Sequence, residues 1–267
     1  VLCSGRHSGQ LAILIGLGKS VQNMADTQKL VPRWLALCLI VCLVVFSIAV
    51  PVSLLIWAID KAIDDVERSG DAHLQVAVAF HMYHDQHGHF PPAAVHGLDG
   101  TPLYSWRVLI LPWIEEGELY KEFHLDEPWD SPHNIRLLPK MPLLYEPPGR
   151  KAQLLPPYHT VCHVFVGKRT AFEGPHGLNL QADFPDGMSR TILLVDAGKP
   201  SPWTKPEELP YSSDGPLPDL EGIFPDGFWA CMVDGGRRWV KRETSEATIR
   251  ALITRNLGDQ PGPDWQD

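Results

Sequence analysis

Several chemistries leave no signature in this chain. Its five cysteines form no C-x-x-C pair, so a zinc-ribbon or thioredoxin-like reading has no support. G-x-S-x-G, H-E-x-x-H and a phosphate-cradling glycine loop are all missing, and with them the common hydrolase, metalloprotease and nucleotide-binding signatures. Positive charge is in deficit. With 23 Lys and Arg against 32 Asp and Glu, the formal net charge is -9. A phosphate backbone demands the opposite balance, so nucleic acid is not an expected partner. No cofactor is implied.

The most informative absence is local. Between Trp34 and Ile59 there is no charged residue. At about 1.5 Å of helical rise per residue the run exceeds a hydrocarbon core of about 30 Å. A single segment crosses lipid only as a helix, because only a helix pairs all its own backbone groups. Trp34 and Trp57 lie near the ends, Arg33 bounds one side, and Asp60 and Lys61 bound the other. Residues 34–59 are therefore expected to be a transmembrane helix in contact with lipid, with Cys38 and Cys42 as lipid-facing or packing residues and a kink at Pro51. A cleaved signal peptide fits less well, since the run is longer than the usual h-region and no A-x-A site follows.

Residues 1–33 read as a leader without a fold, and Met24 is an alternative start. Lys and Arg number four before the span (Arg6, Lys19, Lys29, Arg33) and two just after it (Lys61, Arg68). That bias places the N-terminus in the cytoplasm and the C-terminal domain outside it. Counted from Met24, the numbers are equal.

Helical periodicity continues through Ile63, Val66, Val76, Ala79, Phe80 and Tyr83, with Gly70 as a weak point and Gly88 as a C-cap before Pro91 and Pro92. The pattern predicts one long helix, or two stacked, over residues 32–87. Short helices are expected within 104–116, stopped near Pro112, and over 115–123, and a third from an Asp130-Ser131-Pro132 start to about Leu138. Strands are expected at 160–166, 191–195, 228–233 and 237–241, the last two joined by an Asp234-Gly235-Gly236 turn. Residues 200–218 read as a Pro-rich loop. A final helix begins at Thr244 or Ser245 with Ile249, Leu252 and Ile253 as its stripe. Residues 257–267 read as a frayed tail. The class is α+β, with a domain over 60–256.

Four histidines cluster at His81, His84, His87 and His89. They are candidate metal ligands, but helical offsets of three and six rotate His81 and His87 apart, which favours packing and helix-end hydrogen bonds. Asp126, Glu127 and Asp130 form an acidic turn without EF-hand spacing. Asp183, Asp186 and Asp196 are carboxylates that a glycosidase would need in pairs. Of Trp106, Trp113, Trp129, Trp203, Trp229 and Trp239, most are expected to be core or loop-packing residues, and a pair such as Trp129 and Trp203 is a candidate for a partner- or glycan-facing surface. Cys162 and Cys231 are the two cysteines of the domain, and the sequence leaves open whether they meet.

The stretch Gln75–Pro92, with His81, Tyr83, His84, Gly88, Phe90, Pro91 and Pro92, resembles the opening block of a large family of bacterial pilin-like envelope proteins of unknown function. Its pattern there is LHNYHDxxGxFPP behind a prepilin-type helix. The resemblance continues through Ser105-Trp-Arg, Leu111-Pro112, Leu119-Tyr120, the Asp126-to-Asn134 block with Pro128, Trp129 and Asp130, the Pro202-to-Pro210 block with Trp203, and Ile253-Thr-Arg-Asn256. The family's tail, His then nine residues then Asp-Gly, is matched at Asp234-Gly235, with Phe224 at the His position. A prepilin peptidase site is absent from Val31-Pro32-Arg33-Trp34, so processing and pilus incorporation are not expected. The resemblance implies a pilin-like fold, with a small antiparallel sheet and short helices, in the cell envelope. The expected function is that of a non-enzymatic, single-pass, membrane-anchored protein with a structural or interaction role, its partner an envelope protein or glycan. The alternative is an extracytoplasmic binding module for a solute, glycan or metal.

Overall fold

A computed structural model describes residues 33–147 and 151–265. Of the leader expected over residues 1–33, residues 1–32 lie outside the described residues, as do residues 266 and 267, and Arg33 is the first residue of the first helix. The protein is α+β. The chain divides into two units at the Asp60–Lys61 junction.

Helix α1 runs Arg33–His87 as one element. Within the first unit its side chains from Leu37 to Ile59 are exposed all round. Leu37–Lys61 is long and apolar enough to cross a membrane. Pro51 sits inside the helix without ending it. Ser47 and Ser53 turn their hydroxyls back onto the carbonyls of Val44 and Ala49, both at 2.8 Å. Such back-bonding satisfies a polar side chain where apolar neighbours offer it nothing.

In the second unit α1 becomes one-sided. Val76, Ala77, Ala79, Phe80 and Tyr83 are buried, whereas Ile63, which the periodicity placed with them, is exposed. Gly70 has a packing reason. A Cβ there would meet Arg237 Nη1 at 2.9 Å and the Trp229 ring at 3.1 Å. Gly88 ends the helix at φ 79°, its N–H returning to the His84 carbonyl at 2.7 Å. This is the left-handed C-cap that glycine adopts without cost.

A short ribbon follows, β1 (Ala94–His96) against β2 (Pro102–Ser105), antiparallel. The 104–116 segment is not the amphipathic helix its spacing suggested. Tyr104 and Ser105 belong to β2, α2 is one turn (Trp106–Leu109), and Leu111–Trp113 is 3₁₀. Helix α3 (Gly117–Glu122) is the shortened form of the element expected at 115–123. The segment expected to be helical after Asp130 is 3₁₀, Asn134–Lys140, with His133 at its N-cap and no capping side chain there; Ser131 Oγ, ahead of it, accepts from Asn134 N at 3.1 Å.

The main sheet is antiparallel and four-stranded, in the order β3 (His159–His163), β5 (Ile192–Pro202), β7 (Gly227–Met232), β8 (Arg237–Lys241). Two residues of β4 (Phe165–Val166) pair in parallel with β6 (Leu209–Pro210). Alternation along β7 sends Phe228, Ala230 and Met232 into one cluster with Ile249, Leu252 and Ile253 of helix α4 (Glu246–Ile253). Cys231 joins the other cluster, with Phe80, Trp106 and Trp203. Central β5 is covered on both faces, so Ile192-Leu-Leu-Val195 reads as an unbroken apolar run. Strand β5 also extends through Pro200 and Pro202, where a loop was expected. Strand β7 pairs only with Ile192–Val195, so Pro200 and Pro202 lie beyond that ladder, where a missing N–H breaks no bond to β7.

Ser245 caps α4, accepting from Thr248 N at 3.3 Å. The tail does not fray through residue 265. The Asp264 carboxylate accepts from Ser245 N at 2.6 Å and from Thr248 Oγ1 at 2.5 Å, and Asp186 accepts from Leu257 N and Gly258 N.

Cys162 and Cys231 are both buried and unbonded. Strand β5 lies between their strands. Two strand spacings amount to about 9.5 Å, beyond the roughly 7 Å limit between the Cα atoms of a disulfide. Burial pushes the Cys231 thiol up to about 12 and raises Cys162 further. Both thiols should therefore resist a maleimide until the domain unfolds, and reductant should leave the melting temperature unchanged. Mass spectrometry after native labelling, with a melt run with and without reductant, checks this.

Candidate functional site

The histidine block is built by the end of α1. His81 Nε2 donates to the Val233 carbonyl at 2.8 Å, His87 Nδ1 to the Tyr83 carbonyl at 2.9 Å, and His89 Nδ1 to the Phe90 carbonyl at 2.8 Å. His84 Nε2 accepts from Leu180 N at 3.3 Å. Each ring therefore has one nitrogen committed to backbone. His87 also stacks on Tyr83, with ring centroids 4.0 Å apart. Among the described residues no group of three or more His, Cys, Asp or Glu is placed to hold a metal ion.

The Phe90-Pro91-Pro92 segment docks onto the 176–184 loop. Phe90 N donates to the Leu178 carbonyl at 2.8 Å, and Asn179 Nδ2 to the Gly88 carbonyl at 3.0 Å. Gly177 permits this approach, because a Cβ there would run into the Phe90 carbonyl. The Phe90 ring is fully buried, edge-on to Phe80.

The acidic turn is closed by a residue without charge. Asn134 is buried. Its Oδ1 accepts from His124 N at 3.0 Å, and its Nδ2 donates to the carbonyls of His124, Glu127 and Pro128. Trp129 N reaches the Leu103 carbonyl at 2.6 Å. Asp126 and Asp130 are exposed. Ser131 and His124 hydrogen-bond to Glu127 and hold its carboxyl below the usual range. The carboxylates considered as a glycosidase set are likewise engaged. Asp183 accepts from Asn179 N at 2.7 Å, and Asp186 binds the tail. Asp196 is buried on β5.

The tryptophan surface proposed for Trp129 and Trp203 is not there. Trp203 is fully buried and donates through Nε1 to the Leu138 carbonyl at 3.0 Å, and Trp129 packs partly buried against the core. Trp229 and Trp239 are the partly accessible pair, edge-to-face at 5.3 Å, with Phe224 beside Trp239. Asp234-Gly235 is the β7–β8 turn. Gly235 has φ 85°, and Asp234 Oδ1 accepts from Gly236 N at 2.8 Å.

The strongest electrostatic feature has no motif of its own. Arg107 is completely buried, its Nη1 2.7 Å from Glu208 Oε1, and the Glu208 side chain is 3% exposed. The guanidinium also donates through Nε and Nη2 to the Cys162 carbonyl and lies 4.5 Å from the Trp106 ring centroid. His163 Nε2 donates to the Lys199 carbonyl at 2.9 Å, which leaves Nδ1 facing Arg107 Nη2 at 3.3 Å and Glu208 Oε2 at 3.4 Å. Val164 N donates to Glu208 at 2.9 Å. Burial alone would raise the Glu208 carboxyl. The Arg107 charge, with the neighbouring His163 ring and the hydrogen bond from Val164 N, outweighs it and holds the group below its ordinary 4.5. The signal available in sequence was a lone arginine between Trp106 and Val-Leu-Ile-Leu, a charge where an apolar face was due.

These contacts join the sequence blocks to one another. Ser105 N and Oγ bond the carbonyls of Thr204 and Trp203. His81 meets the residue before Asp234-Gly235. Arg255 pairs with Glu173 at 2.6 Å and donates to the Asp183 carbonyl.

Residues 74–159 match the model of a family described as a protein of unknown function, DUF1559. The matched span carries the His81–Pro92 block, Ser105-Trp-Arg and the Asp126–Asn134 turn. No curated protein and no solved structure matches the chain.

Removing one partner of the central pair leaves a buried charge alone, which costs about 3–5 kcal/mol. Glu208→Gln should destabilise by that order at neutral pH, and Arg107→Met with Glu208→Leu together should recover most of it. The Glu208 charge stabilises above its unfolded value of 4.5, and that stabilisation is lost as pH falls through its lower folded value. The penalty of Glu208→Gln should therefore shrink on acidification below that point. Urea unfolding of the three proteins across pH measures both effects.

Proposed function

We propose that this chain is a non-enzymatic, single-pass membrane protein of the cell envelope. Its pilin-like domain stands outside the cytoplasmic membrane and serves assembly or contact with an envelope protein or glycan. The observation that carries the reading is the destination of the motif residues. His81, His87, His89, Ser105, Asn134 and Trp203 all bond backbone of the same domain. Such residues frame a fold, whereas a catalytic set converges on a place where a reacting atom can sit.

The membrane assignment is supported by the charge-free run and by its exposed side chains. A contiguous apolar surface of that size is not one that a soluble monomer leaves to water. Orientation rests on the Lys and Arg bias. The match to a family of unknown function is compatible with this placement and adds no chemistry.

Fusing alkaline phosphatase, which is active only outside the cytoplasm, and a fluorescent protein that matures only inside to Asp267 tests the placement. Phosphatase activity, with the fusion remaining in the pellet after a carbonate wash, is the expected result. Fluorescence with an inactive phosphatase reverses the orientation, and release by carbonate removes the anchor.

A further inference from the structure

One cavity is not accounted for by the motif contacts. It has a volume of ≈ 150 Å³ and lies within the second unit, between α1, the 143–147 segment, β3 and β5. His73 and Thr160 supply hydrogen-bonding groups to its wall, and Leu143, Leu144, Pro147 and Val161 supply apolar surface. Among the described residues seven buried side-chain polar atoms lack a hydrogen-bond partner, and of these His73 Nδ1 belongs to a residue that lines the cavity. His73 is 3% exposed, and its Nδ1 has no hydrogen-bond partner. A buried polar atom without a partner costs about 1–3 kcal/mol, and native structures keep few of them without a reason.

The neighbouring groups limit what can fill the space. Thr160 is fully buried and accepts from Cys162 N at 3.1 Å, which leaves its O–H to donate. Among the described residues no Lys or Arg lines the cavity, whereas Glu146 and Asp196 do, so an anion meets repulsion from that wall. Asp196 already has a partner. Burial keeps the His73 imidazole neutral, its pKa lowered to about 3. A cation would lose its hydration against leucine, valine and proline. A metal ion lacks the required set of three ligands among the described residues. A cavity of about 150 Å³ accepts a molecule the size of benzene.

We propose that this cavity is a binding site for a small uncharged organic molecule of about benzene size, which bonds His73 Nδ1 and accepts from the Thr160 hydroxyl. The site gives the domain a ligand irrespective of its orientation in the membrane.

Pyrazole is a suitable probe. It is uncharged at neutral pH and carries a donor and an acceptor on adjacent atoms. The full chain, labelled at histidine with ¹³C and ¹⁵N and held in detergent micelles, is titrated with pyrazole, acetate and methylammonium in turn. The His73 ring signal is identified by its loss in His73→Gln. The expected result is a saturable shift of that signal with pyrazole, with a Kd on the order of 1 mM, and no shift with either ion. Leu144→Trp, which fills the cavity, should weaken the pyrazole response about tenfold. An unmoved His73 signal with pyrazole overturns the site. An equal response to either ion overturns its selectivity for uncharged molecules. The wild-type comparison decides the matter even if the tryptophan variant fails to fold.

Discussion

A guanidinium buried without solvent dictates much of this domain. Taking Arg107 out of water is costly unless a carboxylate and further acceptors meet it in good geometry. Glu208 meets it from the segment before β6, and the Cys162 carbonyl and the His163 ring meet it from β3. The requirement fixes the one-turn helix α2 against β3 and brings in the start of β6. It also holds Trp106 and Trp203 in the same core, where Tyr145 stacks with Trp203 and donates to the Arg107 carbonyl. An apolar pair of the same shape would carry no such directional demand.

Elements with local instructions were legible in the sequence. The charge-free run, the Gly88 stop and the Asp234-Gly235 turn each state a backbone rule within a few residues, and α1 and the β7–β8 hairpin follow them. Helix α4 was legible for the same reason, through its serine cap and its apolar stripe. The 104–116 segment was misread because its periodicity is real but short. Ser105 bonds Trp203 and Thr204, so the chain there belongs to β2 and the core, and tertiary contacts override propensity. The extension of β5 through two prolines was hidden because proline forbids a central strand but not a strand end that runs past the β7 ladder.

The candidate site divides in the same way. The histidines were visible as a cluster, and their rotation around the helix already argued against a shared ligand. Their actual acceptors, among them the Val233 carbonyl 152 positions away, carry no trace in local sequence. Glu208, Asn134 and Gly177 were invisible as sites because each acts on a distant or backbone partner. His73 carried no signal either, since burial and an empty valence are properties of the folded chain. Trp203 follows the expectation that large aromatics are core, and the surface alternative for it falls away.

Arg107 and Glu208 stand 101 positions apart. During vectorial synthesis the arginine emerges long before its counter-ion, and closing that loop has an entropic cost before any contact rewards it. Until then the charge must stay hydrated, and Trp106, Val108 and Ile110 must stay in water with it. The nascent domain thus carries an unfinished apolar surface for much of its synthesis, and the burden falls on whatever shields the chain during that interval.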